Sequence, residues 1–158
     1  MRSLVYRRRP SAVRAILEGL PDWFGDPEAI DNYELAAADP KFVSLLALDG
    51  GEVVGAALIR RHFPETAEIH LIAVAHNHRG QRIGRALVDK IAGDLAADGC
   101  SMLTVHTVGP SFDNQPYANT RAFYRAAGFV PLEEHNNLDW AGPTLIMARA
   151  LQPGSRDA

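Results

Sequence analysis

Three arginines at the start of an apparent helix are the first residues whose spacing could do chemistry: Arg79, Arg82 and Arg85, in HRGQRIGRAL (78–87). A helix N-terminus exposes backbone N–H groups without intrahelical partners and carries partial positive charge. Acids, and Ser, Thr, Asp or Asn caps, are favoured there. This stretch has no acid and puts cations at the unfavourable end. The pattern makes sense when a phosphate docks at the helix start, because arginines then add charge-assisted hydrogen bonds to the anion. Gly80 and Gly84 would let the backbone approach it closely. The plain alternative is an exposed basic helix start that binds nothing. A Walker loop is excluded, since the chain has no Gly-Lys pair, and the dinucleotide fingerprint G-x-G-x-x-G is absent.

The second stretch is NTRAFYRAAGF (119–129). Tyr117, Thr120 and Tyr124 share a helix face by their spacing of three, four and seven, while Ala122, Phe123 and Ala126 fall opposite as the expected core side. Tyr124 need not then be a core aromatic. Its phenol, with an ordinary pKa of about 10, is protonated at neutral pH and could act as a general acid towards a thiolate or alkoxide. Other reactive residue types read blandly. Cys100 precedes an apolar run with no base beside it, so a buried structural thiol is expected. His76 and His78 lie in a turn without a third ligand, so no metal is expected. His106, mid-strand in TVHTV, is not assigned a side of the sheet by its pattern.

These residues need a frame. LVYRR (4–8) reads as a first strand, and Pro10-Ser11 opens a helix whose apolar side is Val13, Ile16, Leu17 and Leu20. Asp26-Pro27 caps a second helix to about Ala38. FVSLLAL, Asp49-Gly50-Gly51 and EVVGAALIRR form a hairpin, and AEIHLIAVA (67–75) is a further strand. The arginine stretch then runs into a helix to about Asp98, with the stripe Ile83, Leu87, Ile91 and Leu95 and a C-terminal Gly99. MLTVHTV (102–108), a helix over 118–127, FVPL and TLIMARA complete the order β α α β β β α β α β β. That order specifies an α/β fold with a mixed sheet and helices on both faces.

The chain has 158 residues, 47% hydrophobic and 22% charged, which suits one globular domain. A net charge of −3 gives no field for nucleic acid or an anionic membrane. No run approaches the ~20 apolar residues of a membrane span, and MRSLVYRRRP lacks a signal-peptide core. A cytoplasmic protein is expected. The last residues, 151–158, read as a polar tail.

Together the stretches resemble the GNAT superfamily of acetyl-CoA-dependent N-acetyltransferases, over about residues 3–150 as a single domain. HRGQRIGRALV resembles the pyrophosphate motif: Arg or Gln, two residues, Gly, one residue, Gly or Ala. NTRAFYRAAGF resembles the later motif ending in Gly-Phe, and DGGEVVGAALI the preceding hairpin. Arg82 stands where the motif has its first glycine, a departure that binding by backbone N–H groups tolerates with ordinary helix-start dihedrals there.

The resemblance implies a mostly antiparallel sheet with splayed fourth and fifth strands. It implies acetyl-CoA as cosubstrate, with no metal. The backbone of Ile72, Ala73 and Val74 would bind the pantetheine arm, and Arg79, Gly80, Gln81, Arg82, Ile83, Gly84 and Arg85 the pyrophosphate. Asn119 and Phe123 would lie near the cofactor, and Tyr124 would protonate the departing thiolate. For the base, Glu68 matches a family glutamate, and His70, two residues on, shares its strand face. Histidine, with a pKa of about 6.5, suits that work. The acceptor side would draw on LPDWFGDPEAIDNYE and GPSFDNQPYAN, with Trp23, Phe24, Tyr33 and Tyr117 as contacts and acids such as Asp26 and Asp31 nearby; Trp140 could close the cleft. That mix suits a small-molecule or peptide amine. Dimerisation through the last strands is common in the family, so a homodimer is a further expectation. A cofactor-binding sensor with little catalysis, and transfer of another acyl group, are the alternatives.

Overall fold

The computed structural model describes residues 1–154. The elements are β1 (Arg2–Tyr6), α1 (Pro10–Glu18), α2 (Pro27–Ala38), β2 (Val43–Asp49), β3 (Glu52–Phe63), β4 (Thr66–Val74), α3 (Ile83–Ala97), β5 (Met102–Val108), α4 (Gln115–Ala126), β6 (Val130–Asn136) and β7 (Pro143–Ala150). This is the expected order, with one 3-10 turn added at His76–His78. The strands form a seven-stranded sheet in the order β1-β2-β3-β4-β5-β7-β6. It is mostly antiparallel; β4 and β5 run parallel, as a helical crossover through α3 requires.

Helix starts follow local chemistry. Asp26 accepts a hydrogen bond from the Glu28 N–H at 3.0 Å, and Pro27 fills the first helical position of α2. Asn114 caps α4 in the same way, accepting from the Tyr117 N–H at 3.1 Å. Helix α3 begins later than the arginine stretch suggested, at Ile83, because the chain passes through left-handed conformations just before it.

The chain divides into two compact units, residues 1–61 with 69–91, and residues 62–68 with the chain from 92 on. In the first, α1 supplies Val13, Ile16 and Leu17, the turn after it Leu20, and α2 Ile30 and Ala37, to a buried cluster with Leu46, Ala56, Leu58, Leu71 and Ala73. Arg14 ties the two helices through Asp31 at 2.7 Å and Glu34 at 3.0 Å. The start of α3 covers the other sheet face. A Cβ on Gly55 would stand 3.0 Å from Ile83 Cγ2, so the missing side chain lets the helix seat closely.

In the second unit, β7 pairs β5 from Met102↔Ala150 to Val108↔Thr144 and carries β6 on its other edge. Leu103, Val105, Tyr124, Phe129 and Met147 are among its buried side chains. Arg121 on α4 donates to the Val108 carbonyl at 2.8 Å, and Arg149 on β7 donates to the Ala127 carbonyl at 3.0 Å. Cys100 is fully buried with its sulfur 3.3 Å from the Glu65 carbonyl oxygen, as a structural thiol should be. The first residues expected in the tail are packed on the domain. Leu151 is buried and donates to Ser101, and Gly154 donates to Ala96. The remainder of the expected tail, 155–158, lies outside the described residues.

Candidate functional site

The turn between β4 and α3 is built by backbone hand. Arg79 is extended, Gly80 has φ +78° and Arg82 has φ +61°. Arg82 and Asn137 are the two non-glycine residues with positive φ among the described residues. The expectation of ordinary helix-start dihedrals at Arg82 is thus corrected. Arg82 adopts a left-handed conformation that glycine takes without penalty, at a cost of about 1–2 kcal/mol. Its carbonyl accepts from Ala86 N at 3.0 Å, so Arg82 holds the cap position of α3. The N–H groups of Ile83, Gly84 and Arg85 then begin the helix without intrahelical acceptors, and no acid lies in the first turn. Alternation of left- and right-handed residues turns successive N–H groups towards an anion. These features fit a phosphate group.

The side chains around the turn are differently employed. Arg82 is exposed with no partner among the described residues. Arg85 pairs along the helix with Asp89, at 3.1 Å and 3.2 Å. The Arg79 guanidinium lies over the Trp23 ring. Ile83 is buried, so only its backbone faces a ligand. Gln81 is gripped by Arg2 on β1, which donates to its carbonyl at 3.1 Å and to its Oε1 at 2.7 Å. Nothing in the sequence linked Arg2 to a turn 79 residues away.

Along β4, burial alternates. Ile69, Leu71 and Ala73 are buried, whereas Glu68, His70, Ile72 and Val74 share the less buried face. In the first unit, His70 sits among aromatic rings. Its centroid is 5.3 Å from that of Tyr33 and 4.8 Å from that of Phe42, and Tyr33 meets Phe24 edge-on at 5.8 Å. The structure therefore brings Phe24 and Tyr33 together with His70, and Trp23 with Arg79. The loop acids are less available than expected: Asp26 is a helix cap and Asp31 is bound to Arg14.

In the second unit, Glu68 is 2.8 Å from the His62 Nε2. His62 was missed in the sequence, although it lies six residues from Glu68 across the short β3–β4 turn. Tyr124 is only 4% exposed, with ring centroids 5.3 Å from Phe123 and 5.5 Å from Phe129. Ala122 and Ala126 are exposed and Phe123 is half-buried, so the expected inward and outward sides of α4 are reversed. Spacing defines which residues share a face but not which face is covered, and small alanines are no guide. Asn119 is exposed and accepts from Gln115 Nε2 at 2.9 Å. Tyr117 is half-buried, and burial raises the pKa of its hydroxyl. His106 and Asp139 form a second His–carboxylate contact, 2.9 Å long.

A strand, a left-handed turn and an acid-free helix start within this strand order define an α/β protein with an anion-binding type of turn. Residues 11–129 match the model of the Acetyltransferase (GNAT) family, and the chain belongs to that family. Among curated proteins, it is 29% identical over 119 residues to a mycothiol acetyltransferase of Corynebacterium glutamicum (strain R), covering 72% of this chain and 39% of that one. The chain therefore spans about two fifths of the length of that relative. Among solved structures, a GNAT-family protein from Desulfovibrio desulfuricans superposes with a TM-score of 0.83 at 22% identity, covering 95% of this chain and 99% of that one. A GNAT family acetyltransferase from Elizabethkingia anophelis, solved with acetyl-CoA bound, gives 0.72 at 19% identity, covering 95% and 98%. Both share the fold.

Proposed function

We propose that the chain transfers the acetyl group of acetyl-CoA to a primary amine by direct attack, with residues 3–150 acting as one N-acetyltransferase domain. The observation that carries this reading is the turn at Gly80–Arg82: two left-handed residues, an acid-free helix start and an arginine side chain left open. They offer backbone donors and charge for a pyrophosphate. Arg79 to Arg85 would hold it, Ile83 by its backbone. The backbone of Ile72, Ala73 and Val74 would take the pantetheine arm, with Asn119 and Phe123 beside the cofactor. Acetyl-CoA supplies the activated thioester.

The chain's own groups would do the rest. Tyr124 would protonate the departing thiolate. Glu68 would accept the amine proton, and His62 beside it gives that proton an exit to solvent; His70 is the second base in this reading. Trp23, Phe24, Tyr33 and Tyr117 would contact a small-molecule or peptide amine. Relatives named mycothiol acetyltransferases support acetyl transfer as the reaction class. No nucleic acid or membrane is proposed as partner; no helix among the described residues is long and apolar enough to cross a membrane. A cytoplasmic site of action goes with this reading. A homodimer is supported by Val130 and Leu132, exposed on edge strand β6.

A calorimetric titration with acetyl-CoA, followed by CoA release across an amine panel, tests the proposal. Saturable binding and acceptor-dependent release are expected; absence of binding overturns it. The burial of Tyr124 favours one second reading, a cofactor sensor, for which binding without release is the outcome. The same assay with longer acyl-CoA thioesters tests another acyl group.

A further inference from the structure

His106 stands mid-way along β5, alternating with the buried Leu103 and Val105. Its Nδ1 lies 2.9 Å from Asp139 Oδ2, in the connection between β6 and β7. A carboxylate at Nδ1 makes that nitrogen the N–H donor and leaves the Nε2 lone pair available, a tautomer assigned from the hydrogen bond. Nε2 has no partner among the described residues, and the side chain is 28% exposed. An imidazole oriented by a carboxylate, with its other nitrogen bare, is the arrangement of a general base.

An apolar platform adjoins the pair. Trp140 follows Asp139 directly, and its ring meets Phe112 edge-on with centroids 5.5 Å apart. The indole is fixed in place. Its Nε1–H donates to the Pro143 carbonyl at 3.0 Å, and its ring lies against Gly142, where any Cβ would collide with it. The Phe112 loop is fixed too, by Phe112 N donating to Gly109 O at 3.1 Å and Ser111 N donating to the Glu134 carboxylate at 3.3 Å. Yet Phe112 stays 39% and Trp140 40% exposed. Immobile rings that remain in water lose little entropy when a flat ligand covers them. Glu134 and Asp139 add negative charge that favours a cation there.

We infer that the acceptor is an amine with a flat apolar body, seated on Phe112 and Trp140 and deprotonated at His106 Nε2. This rests on the proposed acetyl transfer, names an acceptor class and puts His106 in place of Glu68 as the group that takes the amine proton. The ammonium gives one proton to Nε2, and Asp139 stabilises the imidazolium until it releases that proton to water. The freed lone pair attacks the thioester carbonyl carbon, a C–N bond forms and the C–S bond breaks. The thiolate takes a proton from the chain's general acid, which is restored by the second proton shed from nitrogen. The products are amide, free thiol and one proton in solution.

The test uses the full chain, acetyl-CoA and a series of arylalkylamines and anilines at neutral pH, from weakly to strongly basic. In His106→Gln the amide can still donate to Asp139, but it is no base. This variant should lose about 10²-fold in kcat/KM for strongly basic amines and much less for anilines, which are already neutral. Acetyl-CoA affinity should stay as in the wild type, and added imidazole should restore part of the rate. Asp139→Asn should show the same basicity-dependent loss, smaller in size. Trp140→Ala should raise KM for arylalkylamines but not for small aliphatic amines. A His106→Gln rate within twofold of wild type, or an equal loss for all acceptors, overturns the inference. Lack of turnover by the wild type on every amine overturns the acetyl-transfer reading instead, and calorimetry of acetyl-CoA separates the two failures.

Discussion

The Arg79 guanidinium lies 4.4 Å from the centroid of the Trp23 ring. One residue belongs to the left-handed turn before α3 and the other to the segment between α1 and α2, so a single contact joins the proposed phosphate site to the proposed acceptor segment. An exposed cation–π pair contributes about 0.5–1 kcal/mol. If Trp23 orients Arg79 for the pyrophosphate, Trp23→Ala should weaken acetyl-CoA binding by roughly two- to fivefold. Calorimetry reads this directly. Tighter binding by the variant would show that Trp23 holds Arg79 away from the ligand.

Arg82 sets conformational strain against charge. Its φ of +61° costs an L-residue about 1–2 kcal/mol, which glycine avoids, although glycine adds about 0.5–1 kcal/mol of unfolded-chain entropy. Arg82→Gly should therefore be as stable as wild type or slightly more so. Arg82→Ala keeps the strain and should melt below Arg82→Gly. Both remove the open guanidinium and should bind acetyl-CoA several-fold more weakly. Thermal melting and calorimetry on the two variants separate strain from charge. Wild-type affinity in both would remove the side chain from the phosphate site.

Tyr124 must serve packing and chemistry at once. It is buried between Phe123 and Phe129, so Tyr124→Phe keeps the ring contacts and should melt far closer to the wild type than Tyr124→Ala. If its hydroxyl protonates the leaving thiolate, kcat should fall about 10²-fold with acetyl-CoA affinity retained. Tyr124→Ala should instead cost about 3–5 kcal/mol of stability, as large buried rings do. Steady-state kinetics beside thermal melting distinguish the roles, and an unchanged kcat in Tyr124→Phe would leave Tyr124 a core residue only.

The order of elements was legible because punctuation and period agreed. Pro10, Asp26-Pro27 and Gly99 marked ends, and Val13, Ile16, Leu17 and Leu20 marked one buried stripe. The proposed phosphate turn was legible as composition, but the positive φ of Arg82 was not, since an arginine gives no local signal for it. Tyr124 was found as a chemical candidate but placed opposite the expected core side, because periodicity carries no sign. Glu68 and His62 meet across the β3–β4 turn, six residues apart, a short separation that a hairpin argument could have flagged. His106 and Asp139 lie 33 residues apart and Arg2 and Gln81 lie 79 apart. Such pairs are set by tertiary register, which no short window contains.

Tyr117 yields a prediction with a definite sign. Burial disfavours its phenolate and raises its pKa above the ordinary value of about 10. At neutral pH both folded and unfolded chains hold the proton, so Tyr117 adds no pH dependence there. As pH rises past about 10, the unfolded chain releases the proton first and then binds fewer protons than the folded one. Stability must fall with pH in that window. Tyr117→Phe has no such proton and should lose less stability between neutral and strongly alkaline pH than the wild type. Denaturant melts across alkaline pH, with phenolate absorbance followed in parallel, measure the difference. Parallel alkaline losses in the two proteins would show that Tyr117 ionises freely in the folded state. The same sign bears on its proposed role, since a hydroxyl held protonated can give an acceptor ring contact or a hydrogen-bond donor, not a base.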